Sequence, residues 1–246
     1  MTDVWYDETG EGPPLVLLHE GVVDSRIWER VVPLLAVRHR VIRYDQRGFG
    51  RSPRPEGPYS LVEDLVAVLD AAGLERAALA GASRGGNIAL ATAVERPERV
   101  SALILLGSGL SGAQLDVGWT PEQIARWERA EADDDWTAMA ELDMEMWAPM
   151  GADPELRAMF LENAVWSNSE DPATDEPVAE RMSGIAVPTL VITGSRDVRG
   201  INEIGDRLAR EIPDARSAVI EEADHMIPWR APEELSHLVL DFLSGR

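Results

Sequence analysis

The chain has 246 residues and 45% hydrophobic content, which suits one large α/β domain with a sizeable core. Its net charge of −21 sets it against phosphate backbones and anionic membranes, so neither nucleic acid nor membrane is an expected partner. It has no cysteine, and all 23 basic residues are arginine. That excludes disulfides, a thiol nucleophile, lysine Schiff-base chemistry and a P-loop lysine.

The N-terminal stretch "MTDVWYDETGEG" is acidic and lacks the basic and apolar regions of a signal peptide, so a soluble, cytoplasmic protein is expected. The pattern then alternates. "PLVLLH" (14–19) reads as a buried strand, "SRIWERVVPLLAV" (25–37) as a helix, and "RVIRYD" (40–45) as a second strand running into a Gly-rich turn. "SLVEDLVAVLDAAG" (60–73) has helical apolar spacing and a glycine stop. "RAALAG" (76–81) is a strand, a helix follows to about Arg96, and "VSALILLG" (100–107) is a further strand. Alternation resumes with a strand at 187–194, a helix near 201–211, a strand at 216–221 and a last helix at about 232–243. Repeated strand–helix alternation implies a mostly parallel sheet with helices on both faces.

Residues 110–185 break the alternation. They carry helical signals, five of the eight tryptophans, and 18 acidic residues against 4 arginines. The expected domains are therefore a core of 1–109 and 186–246, and a helical cap inserted between strands over their carboxyl ends. The acidic surplus reads as a solvated surface, or as a lid that disfavours anions. The cap's tryptophans and methionines, Trp147 among them, suggest an apolar roof and a small, neutral to moderately hydrophobic substrate.

The stretch "LAGASRGGNIALA" (79–91) sets Ser83 between Gly81 and Gly85 at a strand-to-helix turn. A G-x-S-x-G turn there holds serine in a strained conformation, points its hydroxyl outward, and aims the next N–H, that of Arg84, into the same space. Serine needs a base. Of the four histidines, His19 ends a strand, His39 precedes one at the opposite edge, and His237 lies on the last helix. His225, in the loop "EEADHMIPW" after the strand at 216–221, lies at the same edge as Ser83. A carboxylate must fix its tautomer. The strand before the insertion ends in "LLGSG" without one, and Asp224 adjoins His225 too closely to reach its ring. Asp197, at the end of "VITGSRD", is the candidate.

The chain order Ser83, Asp197, His225 is that of the α/β-hydrolases. The sequence resembles that superfamily over nearly its whole length. The likeness is carried by "LLHEGVVDSRIW" (17–28), "YDQRGFGRS" (44–52), "GASRGG" (81–86), "GSRD" (194–197) and "ADHMIPWRAPEEL" (223–235). In spacing and cap position it resembles the small bacterial esterases, lactonases and enol-lactonases. The resemblance implies the α/β-hydrolase fold and hydrolysis of an ester or lactone through an acyl-enzyme, with no cofactor or metal. It also implies an oxyanion hole formed by the N–H groups of Arg84 and of Gly21 in the loop after the first buried strand. Glu20 stands where relatives often carry glycine. A carboxylate facing that hole would oppose the developing charge, so Glu20 is expected to turn to solvent or to an arginine. Otherwise it would recognise a polar or cationic substrate group. Val22 and Met226, neighbours of the loop and the base, are further pocket candidates. Carbon–carbon hydrolases, amidases and cofactor-free perhydrolases share the scaffold, as do ligand-binding receptors that keep the triad. The oligomeric state is open.

Overall fold

The computed structural model describes residues 3–114, 116–169 and 172–245. Its architecture starts from the two-residue period of β2 (Pro14–Leu18). Leu15 and Leu17 enter one apolar cluster and Val16 and Leu18 the other, so the strand is buried on both faces. β3 (Arg40–Tyr44), β4 (Ala77–Ala82), β5 (Val100–Leu106), β6 (Thr189–Gly194) and β7 (Ala215–Ile220) extend a parallel sheet around it. The strand order is β1-β3-β2-β4-β5-β6-β7.

The edge strand β1 (Tyr6–Thr9) was not legible in the sequence. It is short and acidic, and it runs antiparallel to β3, with Tyr6 opposite Tyr44. A cross-strand ion pair between Asp7 and Arg43, 3.0 Å apart, holds its register.

The single helix expected over 25–37 is also not found. The segment divides into a 3-10 turn at Ser25–Trp28, capped by the Asp24 side chain, and a one-turn helix α1 (Val32–Leu35). Pro33 has no N–H to extend the first turn and clashes with the preceding one.

The helices α2 (Leu61–Ala71), α3 (Arg84–Glu95) and α7 (Arg199–Glu211) cover one face, through residues such as Leu65, Ile88 and Leu208. The other face is covered by α1, the short α8 (Ile227–Arg230) and α9 (Pro232–Ser244).

The order reverses beside β2, with β3 on one side and β4 on the other. Ligands of open α/β sheets bind at such a reversal, outside the carboxyl ends of the strands. The loop after β2 and the turn after β4 meet there.

The insertion between β5 and β6 forms α4 (Pro121–Ala132), α5 (Trp136–Trp147) and α6 (Pro154–Ser167). Part of its acidity is local chemistry. Asp135 and Asp153 cap α5 and α6 by accepting the N–H groups of Ala138 and Leu156. Its contacts run to the carboxyl-end loops. Asn163 donates to Asp24 and accepts from the Gly50 N–H, both at 3.0 Å. The Met150 N–H reaches Asp224 in the loop after β7 at 3.2 Å. Among the described residues no helix is long and apolar enough to cross a membrane.

Candidate active site

Ser83 sits at the top of β4 with φ +49° and ψ −113°, a left-handed backbone that a residue with a Cβ rarely adopts. The neighbouring glycines make this possible. A Cβ at Gly81 would strike the Gly85 carbonyl, one at Gly85 the Leu18 carbonyl, and one at Gly86 the Ser108 hydroxyl. The helix α3 therefore approaches the strands at backbone distance. The Ser83 N–H donates to Leu106 and its carbonyl accepts from Gly109, both at 2.9 Å, so the strained turn is held by β5 and the loop beyond it.

That next loop also supports the histidine. Gly107 has φ +45°, and a Cβ there would lie 3.0 Å from Asp197 Oδ2 and 3.2 Å from His225 Nδ1. The imidazole and carboxylate thus pack on bare backbone between β5 and β6. His225 Nδ1 lies 2.8 Å from Asp197 Oδ2, and the other Asp197 oxygen accepts the Val198 N–H at 2.7 Å. A carboxylate can only accept, so Nδ1 carries the proton and Nε2 keeps its lone pair. Burial opposes charge on His225, but the charge and hydrogen bond of Asp197 outweigh it and raise its pKa above the ordinary histidine value. From the insertion, the Trp147 ring packs against the imidazole, tilted by 39° with centroids 4.6 Å apart.

The loop after β2 is braced from inside. The Gln46 N–H donates to His19 Nε2 at 2.9 Å, which leaves the proton on Nδ1, 2.6 Å from the Glu20 carbonyl. The Gln46 amide donates to the His19 carbonyl at 2.6 Å and accepts from Arg84 Nε at 2.8 Å. Gly21 lies against the Arg84 side chain, where a Cβ would be 3.2 Å from Cδ. The Gly21 loop and the Arg84 end of α3 are therefore neighbours.

The structure thus brings Ser83, Gly21 and Arg84 to the sheet reversal, and His225 and Asp197 to the same carboxyl edge. Met226 is fully buried in the core, while Val22 and Trp147 are half-buried against it. His39 lies at the opposite edge and His237 is exposed. Asp224 pairs with Arg230 at 2.8 Å instead of reaching the histidine.

Glu20 requires a correction. It has no solvent exposure, neither carboxylate oxygen has a hydrogen-bond partner, and no arginine meets it. Its backbone carbonyl is tied to His19, which fixes the loop with the side chain turned inward. Burial pushes its pKa up to about 7, opposed by its own backbone N–H and by His225 and reinforced by Asp197. Gln46 was read from sequence only as part of a structural turn. Its position directly after the aspartate of "YDQRGFGRS" gave no sign that it ties His19 to Arg84. Among the described residues, no group of three or more side chains could hold a metal ion.

Fold and site together define the class. Residues 13–232 match the family model for the alpha/beta hydrolase fold, and the chain belongs to that family. It is 29% identical to a 2-hydroxy-6-oxo-6-phenylhexa-2,4-dienoate hydrolase of Comamonas testosteroni, over 99% of this chain and 92% of that one. It is 32% identical to a 2-hydroxy-6-oxononadienedioate/2-hydroxy-6-oxononatrienedioate hydrolase of Burkholderia vietnamiensis, over 98% and 90%. The structure of an enol-lactonase from Burkholderia xenovorans superposes with a TM-score of 0.82 at 28% identity, over 98% and 96% of the two chains. Curated relatives that align over nearly the full chain are hydrolases.

Proposed function

We propose that the protein is a serine hydrolase that cleaves a carboxylic ester or lactone through an acyl-enzyme on Ser83. The observation that carries this reading is the His225–Asp197 pair at 2.8 Å, packed on the loop that also holds the strained Ser83 turn. Ser83 Oγ attacks the carbonyl carbon and its proton passes to His225 Nε2. Asp197 keeps Nδ1 protonated and stabilises the imidazolium. The N–H groups of Arg84 and Gly21 receive the oxyanion. Collapse breaks the acyl–oxygen bond, and the leaving alcohol takes the proton from His225. Water then attacks the acyl-enzyme with the same base, releasing the acid and restoring Ser83. The helical insertion serves as the cap over this site.

A second reading is favoured by the curated relatives. Their named dienoate substrates contain no ester, so their hydrolysis cleaves a carbon–carbon bond. Those substrates carry carboxylates. Here the neighbouring guanidinium of Arg84 is held by Gln46 and, at 3.2 Å, by the Tyr59 hydroxyl, and Glu20 is buried in the same region. That electrostatic setting supports the ester or lactone reading.

Turnover of p-nitrophenyl butyrate, a γ-lactone and a 2-hydroxy-6-oxo-dienoate tests the assignment. Ester or lactone turnover that vanishes in Ser83→Ala is expected. Turnover of the dienoate alone would move the assignment to the carbon–carbon bond.

A further inference from the structure

The proposed mechanism leaves the Glu20 carboxyl without a role. Among the described residues, the other buried acids have partners. Asp24 is held by Arg26, Asp45 by Arg51, Asp64 by Arg47, Asp143 by Asn168, Asp197 by His225 and Asp224 by Arg230. Both oxygens of Glu20 are buried, and no other residue bonds to them; only its own backbone N–H faces the carboxyl. A buried carboxyl without a partner costs free energy that native proteins rarely leave uncompensated. Its location gives the reason. It lies two residues after β2, its backbone is pinned by His19, and the next residue, Gly21, lies against the Arg84 side chain at the start of α3. The buried carboxyl therefore belongs to the loop that borders the site, where the charges of His225 and Asp197 are felt, and it is short of a counterpart.

The chemistry of that counterpart follows from the charges present. The Asp197 carboxyl is buried against His225, and the guanidinium of Arg84 is engaged with Gln46 and Tyr59. The chain as a whole carries −21. An anionic ligand group would add to a local excess of negative charge. An ammonium group would supply both the hydrogen-bond donors that Glu20 lacks and the missing positive charge, and the protein's field would draw it in. We propose that Glu20 is the anchor for a protonated amine on the substrate, so that amine-bearing esters or lactones are the preferred class. This rests on the ester or lactone reading above and replaces the neutral substrate expected from the sequence with a cationic one.

Three p-nitrophenyl esters of matched shape test it: those of piperidine-4-carboxylate, cyclohexanecarboxylate and tetrahydropyran-4-carboxylate. They offer a cationic donor, no polar group, and an acceptor alone. Sites built to bond a substrate N–H or O–H reject the analogue lacking it by as much as ~10⁴-fold. For a probe of this size the wild-type protein is expected to favour the piperidine ester in kcat/KM by about 100-fold over the cyclohexane ester. In Glu20→Gln that ratio should fall below about 5-fold, whatever the absolute rates. Equal wild-type rates, a ratio that survives in Glu20→Gln, or preference for the tetrahydropyran ester would each overturn the proposal. The wild-type ratios alone suffice for this if the variant does not fold. Calorimetry with the piperidine and cyclohexane carboxamides separates this proposal from the reading it rests on. Amine-selective binding lost in Glu20→Gln, with no ester hydrolysed, would keep the anchor and remove the hydrolase. Ester hydrolysis without amine selectivity would do the reverse.

Discussion

The Trp147 ring of the helical insertion lies 4.6 Å, centroid to centroid, from the ring of His225 in the loop after β7. The insertion therefore helps position the histidine proposed as base. Misplacement of a reacting group by about 1 Å costs ~100-fold in rate. Trp147→Ala is expected to lower kcat by about 10- to 100-fold on any ester that is turned over. Trp147→Phe keeps an aromatic ring against His225, so it should retain most of kcat if the ring contact is what matters. Steady-state kinetics of the two variants checks this.

The pH dependence has a defined sign. The pKa of His225 is raised above the ordinary histidine value, and the base must be neutral to accept the Ser83 proton. Activity should therefore fall as pH drops through that raised value, which places the acid limb of kcat/KM above about 6.5. Asp197→Asn removes the charge that raises it. In that variant kcat should drop by ~10⁴-fold and the acid limb should move down. A pH–rate profile of both proteins measures the limb.

Glu20 should destabilise the empty protein at high pH. Its folded pKa, about 7, is raised above the unfolded carboxylate value, so the folded state favours the proton. Below the unfolded value the acid is neutral in both states and nothing is lost. Above about 7 the protein bears the full burden of a buried, unpartnered charge. Glu20→Gln should therefore raise stability by about 2–4 kcal/mol at pH 8 and change it little at pH 4. Denaturant melts at the two pH values give the comparison.

Ser83 stores strain as well as chemistry. Its φ of +49° suits glycine and not a residue with a Cβ. Ser83→Gly is expected to stabilise the fold by about 1 kcal/mol while abolishing turnover. A stabilising substitution that eliminates activity would mark the turn as held for function. Thermal melts and an ester assay on the same preparation read both effects.

Much of this was legible in the sequence because it has local causes. The continuous apolar run of β2 and the glycines around Ser83 announce a buried strand and a strained turn. The order Ser83, Asp197, His225 then limits the family. The missed features depend on partners distant in the chain. β1 has no apolar pattern of its own and exists through its pairing with β3. Pro33 interrupts helical hydrogen bonding within 25–37, and the segment divides into a 3-10 turn and one helical turn. The burial of Glu20 comes with a loop braced by the His19–Gln46 contact across the β2 and β3 loops, which no local pattern encodes.

The most direct test of the central claim is labelling of the purified protein with a fluorophosphonate, followed by mass spectrometric location of the adduct. The account predicts one adduct, on Ser83, absent from Ser83→Ala and weakened in Asp197→Asn. A folded protein that takes no label, or takes it on another residue, would contradict it.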